Sequence, residues 1–181
     1  MRNKIDHLNE TLNEFNLDVL CLTETWLYES DLSVIRSALP KSYTIISIPR
    51  PMIDRPGGGV TIIYSRVLSR ISHCKLDFAP TFFECLEVEI NHQKQTYRIA
   101  IVYRPGHRGT DRIFMEEFGQ FLEAFTIKSG CLIICGDFNY WIDNPTLKPF
   151  SSEFLDLICL NNLSKYVSQP NHLRYVDMCW I

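Results

Sequence analysis

Asp137 and Asn139 flank Phe138 directly after an apolar run, Cys131-Leu132-Ile133-Ile134-Cys135, and a glycine, Gly136. A carboxylate and a carboxamide two residues apart suit a site that holds a water, a metal ion or a phosphate oxygen. The apolar run reads as a buried strand, and Gly136 lets the backbone turn or approach a neighbour closely. In extended backbone Asp137 and Asn139 face the same side at the strand's end. Asp and Asn are also ordinary turn residues after any strand, so the chemical reading needs support from other segments.

Three more strand ends supply it. Glu24 follows Val19-Leu20-Cys21-Leu22, Tyr103-Arg104-Pro105 follows Ile99-Ala100-Ile101-Val102, and Asp177 lies within Tyr175-Val176-Asp177-Met178-Cys179-Trp180. Apolar packing requires none of these polar groups, and an Asp among apolar strand residues must be paired if it is buried. Carboxylates with an amide and a phenol suit Mg²⁺-assisted attack on a phosphate ester. Magnesium prefers hard oxygen ligands and takes only one or two from protein. A carboxylate orients the water, and Asn, Tyr or His donors meet the charge gained by the phosphorus oxygens. Phosphodiesters hydrolyse slowly, so metal and donors together must supply many kcal/mol.

The elements that must carry these groups follow from periodicity. Ile5, Leu8, Leu12 and Phe15 predict an amphipathic helix over 3–15. Strands are predicted over 18–23, 43–48, 60–64, 71–76, 84–90, 97–103 and 175–181. In the segment 84–90, Glu84, Glu87 and Glu89 among apolar residues indicate one wet face. Ser30 or Asp31 caps a short helix that stops before Pro40. Thr110 or Asp111 caps the longest helix, with a stripe of Ile113, Phe114, Phe118, Phe121, Leu122 and Phe125. Ser151 or Ser152 opens a last helix, after a loop with Pro145 and Pro149. Strands and helices alternate in both hairpin-like and crossover order, so the class is α/β or α+β with packed sheets.

The 181 residues favour one domain with a substantial core. Hydrophobic residues at 46% and charged residues at 22% are ordinary globular composition. The net charge of −3 carries no overall basic footprint for nucleic acid, which weighs against tight non-specific DNA binding. No apolar stretch is long enough to span a bilayer, and Met1-Arg2-Asn3-Lys4-Ile5-Asp6 does not open a signal peptide. The seven cysteines show no CxxC spacing, which argues against zinc. Cys21, Cys131 and Cys135 sit in apolar runs as small hydrophobes, the pattern of reduced thiols in an intracellular protein, nuclear or cytoplasmic.

Other polar features read as structural or as open alternatives. Gly57-Gly58-Gly59 lacks the Gly-Lys-Ser/Thr of a phosphate-binding loop and reads as a turn. Trp26 and Trp141 lie beside the proposed site, with core or rim packing set against contact with DNA. Arg104, His107 and Arg108 are either phosphate contacts or a solvated loop. His73 and His92 read as surface residues.

Leu22-Thr23-Glu24-Thr25-Trp26-Leu27, Val102-Tyr103-Arg104-Pro105 and Gly136-Asp137-Phe138-Asn139 resemble the signature segments of the endonuclease/exonuclease/phosphatase superfamily. Within it, the wording resembles the endonuclease domain of LINE-type, non-LTR retrotransposons. Arg55-Pro56-Gly57-Gly58-Gly59-Val60 and the pairing of Pro170 with His172 ahead of Asp177 are similar to that branch too. The resemblance implies a four-layer sandwich of the deoxyribonuclease I-like type, two packed mixed sheets flanked by helices, with the site at one rim. It implies Mg²⁺, or Mn²⁺ in its place, at Glu24. Tyr103 then hydrogen-bonds the scissile phosphate, Asp137 orients or activates the water, Asn139 helps hold phosphate and water, and Asp177 orients a catalytic histidine. The domain nicks DNA, leaving a 3′ hydroxyl that primes reverse transcription, with a reverse-transcriptase domain in the same longer polyprotein as its partner. The superfamily's first strand precedes Arg2-Asn3-Lys4, and its closing Asp-His pair lies beyond Ile181. The expectation is therefore a single domain, 1–181, truncated at both ends and weak or inactive as a nuclease. A phosphatase or phosphodiesterase acting on a small phosphoester, and a non-catalytic binding remnant, are the alternatives.

Overall fold

A computed structural model describes residues 4–49, 57–68, 70–76, 78–106, 111–140, 142, 149–166 and 178–180. The chain order is α1 (Ile5–Phe15), β1 (Val19–Leu22), α2 (Leu32–Ala38), β2 (Tyr43–Ile48), β3 (Val60–Ser65), β4 (Ile71–Cys74), β5 (Glu84–His92), β6 (Gln95–Tyr103), α3 (Asp111–Thr126), β7 (Cys131–Asp137), α4 (Pro149–Leu160) and β8 (Met178–Trp180). One sheet has the order β1-β3-β2 and the other β4-β5-β6-β7-β8. The first is antiparallel throughout, whereas the second is mixed, because α3 carries the chain back so that β7 lies parallel to β6. The α/β sandwich read from the sequence is thus observed, with only one of its two sheets mixed.

Alternation of side chains on the strands creates three apolar layers. Between the sheets, Val60 and Ile62 of β3 meet Leu86, Val88 and Ile90 of β5 and Ile99 and Ile101 of β6. On the outer face of the three-stranded sheet, Leu12 of α1 and Ile35 of α2 cover Ile45 and Ile63. On the outer face of the five-stranded sheet, Phe114, Phe118, Phe121 and Phe125 of α3 pack with Phe154 of α4 against Val102, Ile134 and Phe138. Phe118 stacks on Phe114 at 5.2 Å and meets Phe138 edge-on at 5.5 Å. Such pairs add about 0.5–1.5 kcal/mol each beyond their burial.

The helix faces differ from the sequence expectation at their ends. Phe15 is exposed in the last turn of α1, which ends at Asn16 with a left-handed φ of 46°. On α3, Met115 is buried where Ile113 was expected, and Ile113 is exposed. Asp31 stands at the start of α2, but its Oδ2 accepts the Tyr28 N–H at 2.9 Å, behind a short 3₁₀ turn over Glu29–Asp31. Helix α4 starts at Pro149, whose lack of an N–H is harmless in the first turn. The expected wet face of β5 is also corrected. Glu87 is buried and both its oxygens accept the Lys128 Nζ at 2.9 Å, while Glu84, on the opposite face of the strand, points between the sheets.

Candidate active site

Strand register alone brings three of the polar groups into one row. Glu84 opens β5 opposite Tyr103, the last residue of β6, and Tyr103 is the parallel partner of Asp137, the last residue of β7. Neighbouring strands stand about 4.8 Å apart, and partners in register face the same side. That side is the inter-sheet face, so the row caps the file of Leu86, Ile101 and Cys135 beneath it. Gly136 makes the β6–β7 approach attainable. Its φ is +144°, and a Cβ there would lie 1.8 Å from the Val102 carbonyl oxygen.

Glu24 arrives from the other sheet. After β1 the chain turns through two non-glycine residues with positive φ, Glu24 at 50° and Trp26 at 55°. Such left-handed conformations cost of order 1–3 kcal/mol and persist only where surrounding contacts determine them. Here the Thr25 N–H donates to the Gly59 carbonyl at 3.2 Å and the Trp26 N–H to the Gly58 carbonyl at 2.9 Å. The Thr25 side chain is buried and receives the Thr61 hydroxyl at 3.5 Å, and Thr61 in turn meets Ser47 at 2.7 Å. Held this way, the Glu24 carboxylate accepts a short hydrogen bond from the Tyr103 hydroxyl, across the gap between the two sheets.

Arg104 grips the Asp137–Asn139 turn from behind. Its N–H donates to the Asp137 carbonyl at 2.9 Å, its Nη1 to the Phe138 carbonyl at 3.2 Å, and its own carbonyl accepts the Asn139 Nδ2 at 2.7 Å. The guanidinium is buried, bonds Asp111 Oδ1 through Nη2 at 2.6 Å and lies 4.3 Å from the Tyr140 ring centroid. Asn139 has a φ of 53°, and its N–H returns to Asp137 Oδ1 at 3.0 Å. The Asp137 carboxylate and Asn139 are therefore linked through the Asn139 backbone amide in a tight turn after the strand, not through the extended backbone expected. Arg104 is likewise neither a phosphate contact nor a solvated residue.

Charge is concentrated at this rim. Burial, foremost, then the hydrogen bond to Glu24 and the nearby carboxylates of Glu24, Asp137 and Glu84 push the Tyr103 phenol well above its ordinary range. Tyr103 is thereby kept as a neutral O–H donor. Glu24, Tyr103, Asp137 and Asn139 are thus brought together as expected, while Asp177 lies outside the described residues, as do His107, Arg108, Trp141 and His172. Trp26 is 55% exposed at the rim, its indole against Gly57. Gly57, Gly58 and Gly59 have positive φ at all three positions and no regular element is assigned there, while Pro56, the start of the expected turn, lies outside the described residues. Glu84 was missed, although a carboxylate in a file with Leu86, Val88 and Ile90 is out of pattern. Among the described residues no group of three or more His, Cys, Asp or Glu side chains is arranged to hold a metal. The donors present at the rim, the carboxylate oxygens of Glu24 and Asp137, are hard oxygens of the kind that magnesium takes in ones and twos.

The family model described as Endonuclease/Exonuclease/phosphatase family matches residues 1–180. The chain belongs to this family. No curated protein sequence matches it. Among solved structures, the endonuclease domain of TRAS1, a telomere-specific non-LTR retrotransposon, is similar at a TM-score of 0.70 and 9% identity, covering 97% of this chain and 78% of that one. The human Nocturnin catalytic domain follows the same fold at a TM-score of 0.68 and 18% identity, covering 99% of this chain and 74% of that one. So does an AP endonuclease from Leishmania major, at 0.69 and 13%, covering 99% and 74%. At these identities the likeness is one of fold. As a member of the endonuclease/exonuclease/phosphatase family the chain has the scaffold of hydrolases acting on phosphoester bonds. Among its described residues no helix is long and apolar enough to cross a membrane.

Proposed function

We propose that this chain is a Mg²⁺-dependent DNA endonuclease of the retrotransposon type. The observation that carries the reading is the meeting of Glu24, from one sheet, with Tyr103 and Asp137, from the other, at a single rim. The order of the four sequence motifs and the fold shared with the TRAS1 endonuclease domain support the DNA assignment.

In this reading Glu24 holds the cation, with Mn²⁺ as a substitute, and the bound ion supplies positive charge to the phosphate oxygens. The Tyr103 hydroxyl, kept protonated first by burial and then by its carboxylate neighbours, would leave Glu24 to the cation and turn its one hydrogen to a non-bridging phosphate oxygen, stabilising the charge that develops there. Asp137, fixed through Arg104, orients the attacking water. Asn139 uses one amide hydrogen on the Arg104 carbonyl and directs the other toward phosphate or water. The water oxygen bonds to phosphorus, the bond to the 3′ oxygen breaks, and the products are a 5′ phosphate and a 3′ hydroxyl. A reverse-transcriptase domain is the proposed user of the 3′ end.

The test is incubation with supercoiled plasmid and Mg²⁺. Nicked circles that disappear with EDTA and in Asp137→Ala support the reading. An intact plasmid, together with no thermal stabilisation by Mg²⁺, removes it and leaves a binding module. A second reading, a phosphatase on a small phosphoester, is favoured by the net charge of −3. Turnover of a soluble phosphoester with plasmid untouched would select it.

A further inference from the structure

Glu84 occupies a position that packing does not explain. The residues that share its face of β5, namely Leu86, Val88 and Ile90, are buried apolar side chains between the sheets. Its Oε2 accepts the Gly59 N–H at 2.5 Å, so a side chain of the five-stranded sheet holds backbone that leads into β3 of the other sheet. Gly59 and Gly58 are the same residues whose carbonyls receive the Thr25 and Trp26 amides. Gly57, next in line, has the Trp26 indole so close that a Cβ would lie 3.3 Å from it.

These contacts close a ring. Glu84 fixes Gly59, the glycine turn fixes the Glu24–Trp26 loop, Glu24 accepts the Tyr103 hydroxyl, and Tyr103 is the register partner of Glu84. The Glu24 and Trp26 backbones are both left-handed, and neither residue type favours that conformation on its own. Something outside the loop must hold it, and the glycine turn is what it touches. An amide donating to a carboxylate makes a stronger hydrogen bond than one donating to a neutral acceptor, which suits a tie between the two sheets.

We infer that Glu84 is a positioning residue, which sets the place of the Glu24 carboxylate through the Gly57–Gly59 turn and does not itself touch the cation or the phosphate. The cation part of this inference rests on the endonuclease reading above; the loop part does not.

Amide hydrogen exchange and Mg²⁺ titration on the same variants test both parts. In Glu84→Ala, the Gly59, Thr25 and Trp26 amides should lose protection together, by tenfold or more, while Val88 and Ile101 in the strands keep theirs and show that the chain is folded. Glu84→Gln retains an acceptor for Gly59 and should restore protection. Glu84→Asp, one methylene shorter, should fail to do so and serves if the alanine variant does not fold. Apparent Mg²⁺ affinity, read from thermal shift, should fall tenfold or more in Glu84→Ala and stay within threefold in Glu84→Gln. Unchanged protection of Thr25 and Trp26 in Glu84→Ala overturns the inference. So does a Glu84→Gln variant that keeps the loop protected yet loses as much cation affinity as alanine, because Glu84 would then act by its charge. Loop protection that follows the expected pattern in a chain that binds no Mg²⁺ at all sustains the positioning role and removes the endonuclease reading instead.

Discussion

Arg104 and Asp111 form an ion pair 2.6 Å long that stands behind the candidate site and not in it. The pair joins the first residue of α3 to the end of β6, and the same arginine holds the backbone carbonyls of Asp137 and Phe138 and accepts the Asn139 side-chain amide on its own carbonyl. A residue that looks like a phosphate ligand in sequence is in this fold the fastener of the Asp137–Asn139 turn.

Arg104→Lys should therefore damage the protein although it keeps the charge. Lysine offers a compact ammonium in place of a planar fork and cannot reach Asp111 and the Phe138 carbonyl together. Arg104→Ala leaves the partly exposed Asp111 without its charged partner and frees the Phe138 carbonyl, so it should cost more than the lysine variant. Urea unfolding should rank wild type above the lysine variant and the lysine variant above alanine. A lysine variant as stable as wild type would show that the guanidinium geometry is unimportant.

Tyr103 gives a pH prediction with a definite sign. Its phenol is raised in the folded state from an ordinary value of 10.0, first by burial and then by Glu24, Asp137 and Glu84. Above the unfolded value the native chain binds more protons than the unfolded one, so stability falls as pH rises. The stabilisation is fully present below about pH 10 and is lost above it. Tyr140 is raised in the same direction, chiefly by burial, and contributes to the same slope. Unfolding free energies measured on either side of about pH 10 should fall less steeply in Tyr103→Phe than in wild type. In the nicking assay the same variant should lose about 10²-fold in kcat, the usual cost of removing one transition-state donor.

Much of this was legible in the residues because periodicity and strand ends are local features. Strand β2 and the starts of β3 and β5 fall where the apolar alternation puts them, and Glu24, Tyr103 and Asp137 are visible as polar groups that packing does not need. The rest depends on partners far along the chain. Glu84 was grouped with Glu87 and Glu89 as one solvated face, yet period-two alternation places Glu84 opposite to them, and only the second sheet gives it a function. The left-handed backbone of Glu24 and Trp26 is written in no residue type; it is imposed by hydrogen bonds to Gly58 and Gly59, more than 30 positions away. The β5–β6 hairpin turns on Gln93 and Lys94, both with positive φ, where an Asn-Gly pair would have announced it.

The phenylalanine layer should set stability without setting chemistry. Phe118 is fully buried and touches Phe83, Phe114, Phe121, Phe138 and Phe154. Truncating it to alanine should cost about 3–5 kcal/mol, the range for a buried phenylalanine. A shift in the urea midpoint with an unchanged slope would be the signature. A loss below about 1 kcal/mol would mean that the cluster repacks around the gap.

Gly136→Ala should separate stability from site geometry. Its added Cβ would meet the Val102 carbonyl oxygen at 1.8 Å, and that atom is backbone, so no side-chain rotation relieves the clash. Either β7 moves away from β6 over its last residues or the glycine's φ of +144° is abandoned, and each displaces Asp137 relative to Tyr103. Overpacking of this kind commonly costs about 1–3 kcal/mol, no more than the Phe118→Ala deletion is expected to cost. The two variants should nevertheless differ in chemistry. Assayed well below their unfolding midpoints, Phe118→Ala should retain plasmid nicking near the wild-type rate, because the row at the sheet edge is intact. Gly136→Ala should lose about 10²-fold, the scale on which a misplacement of about 1 Å acts. Equal activities for the two folded variants would mean that the spacing of Asp137 and Tyr103 does not matter to the reaction.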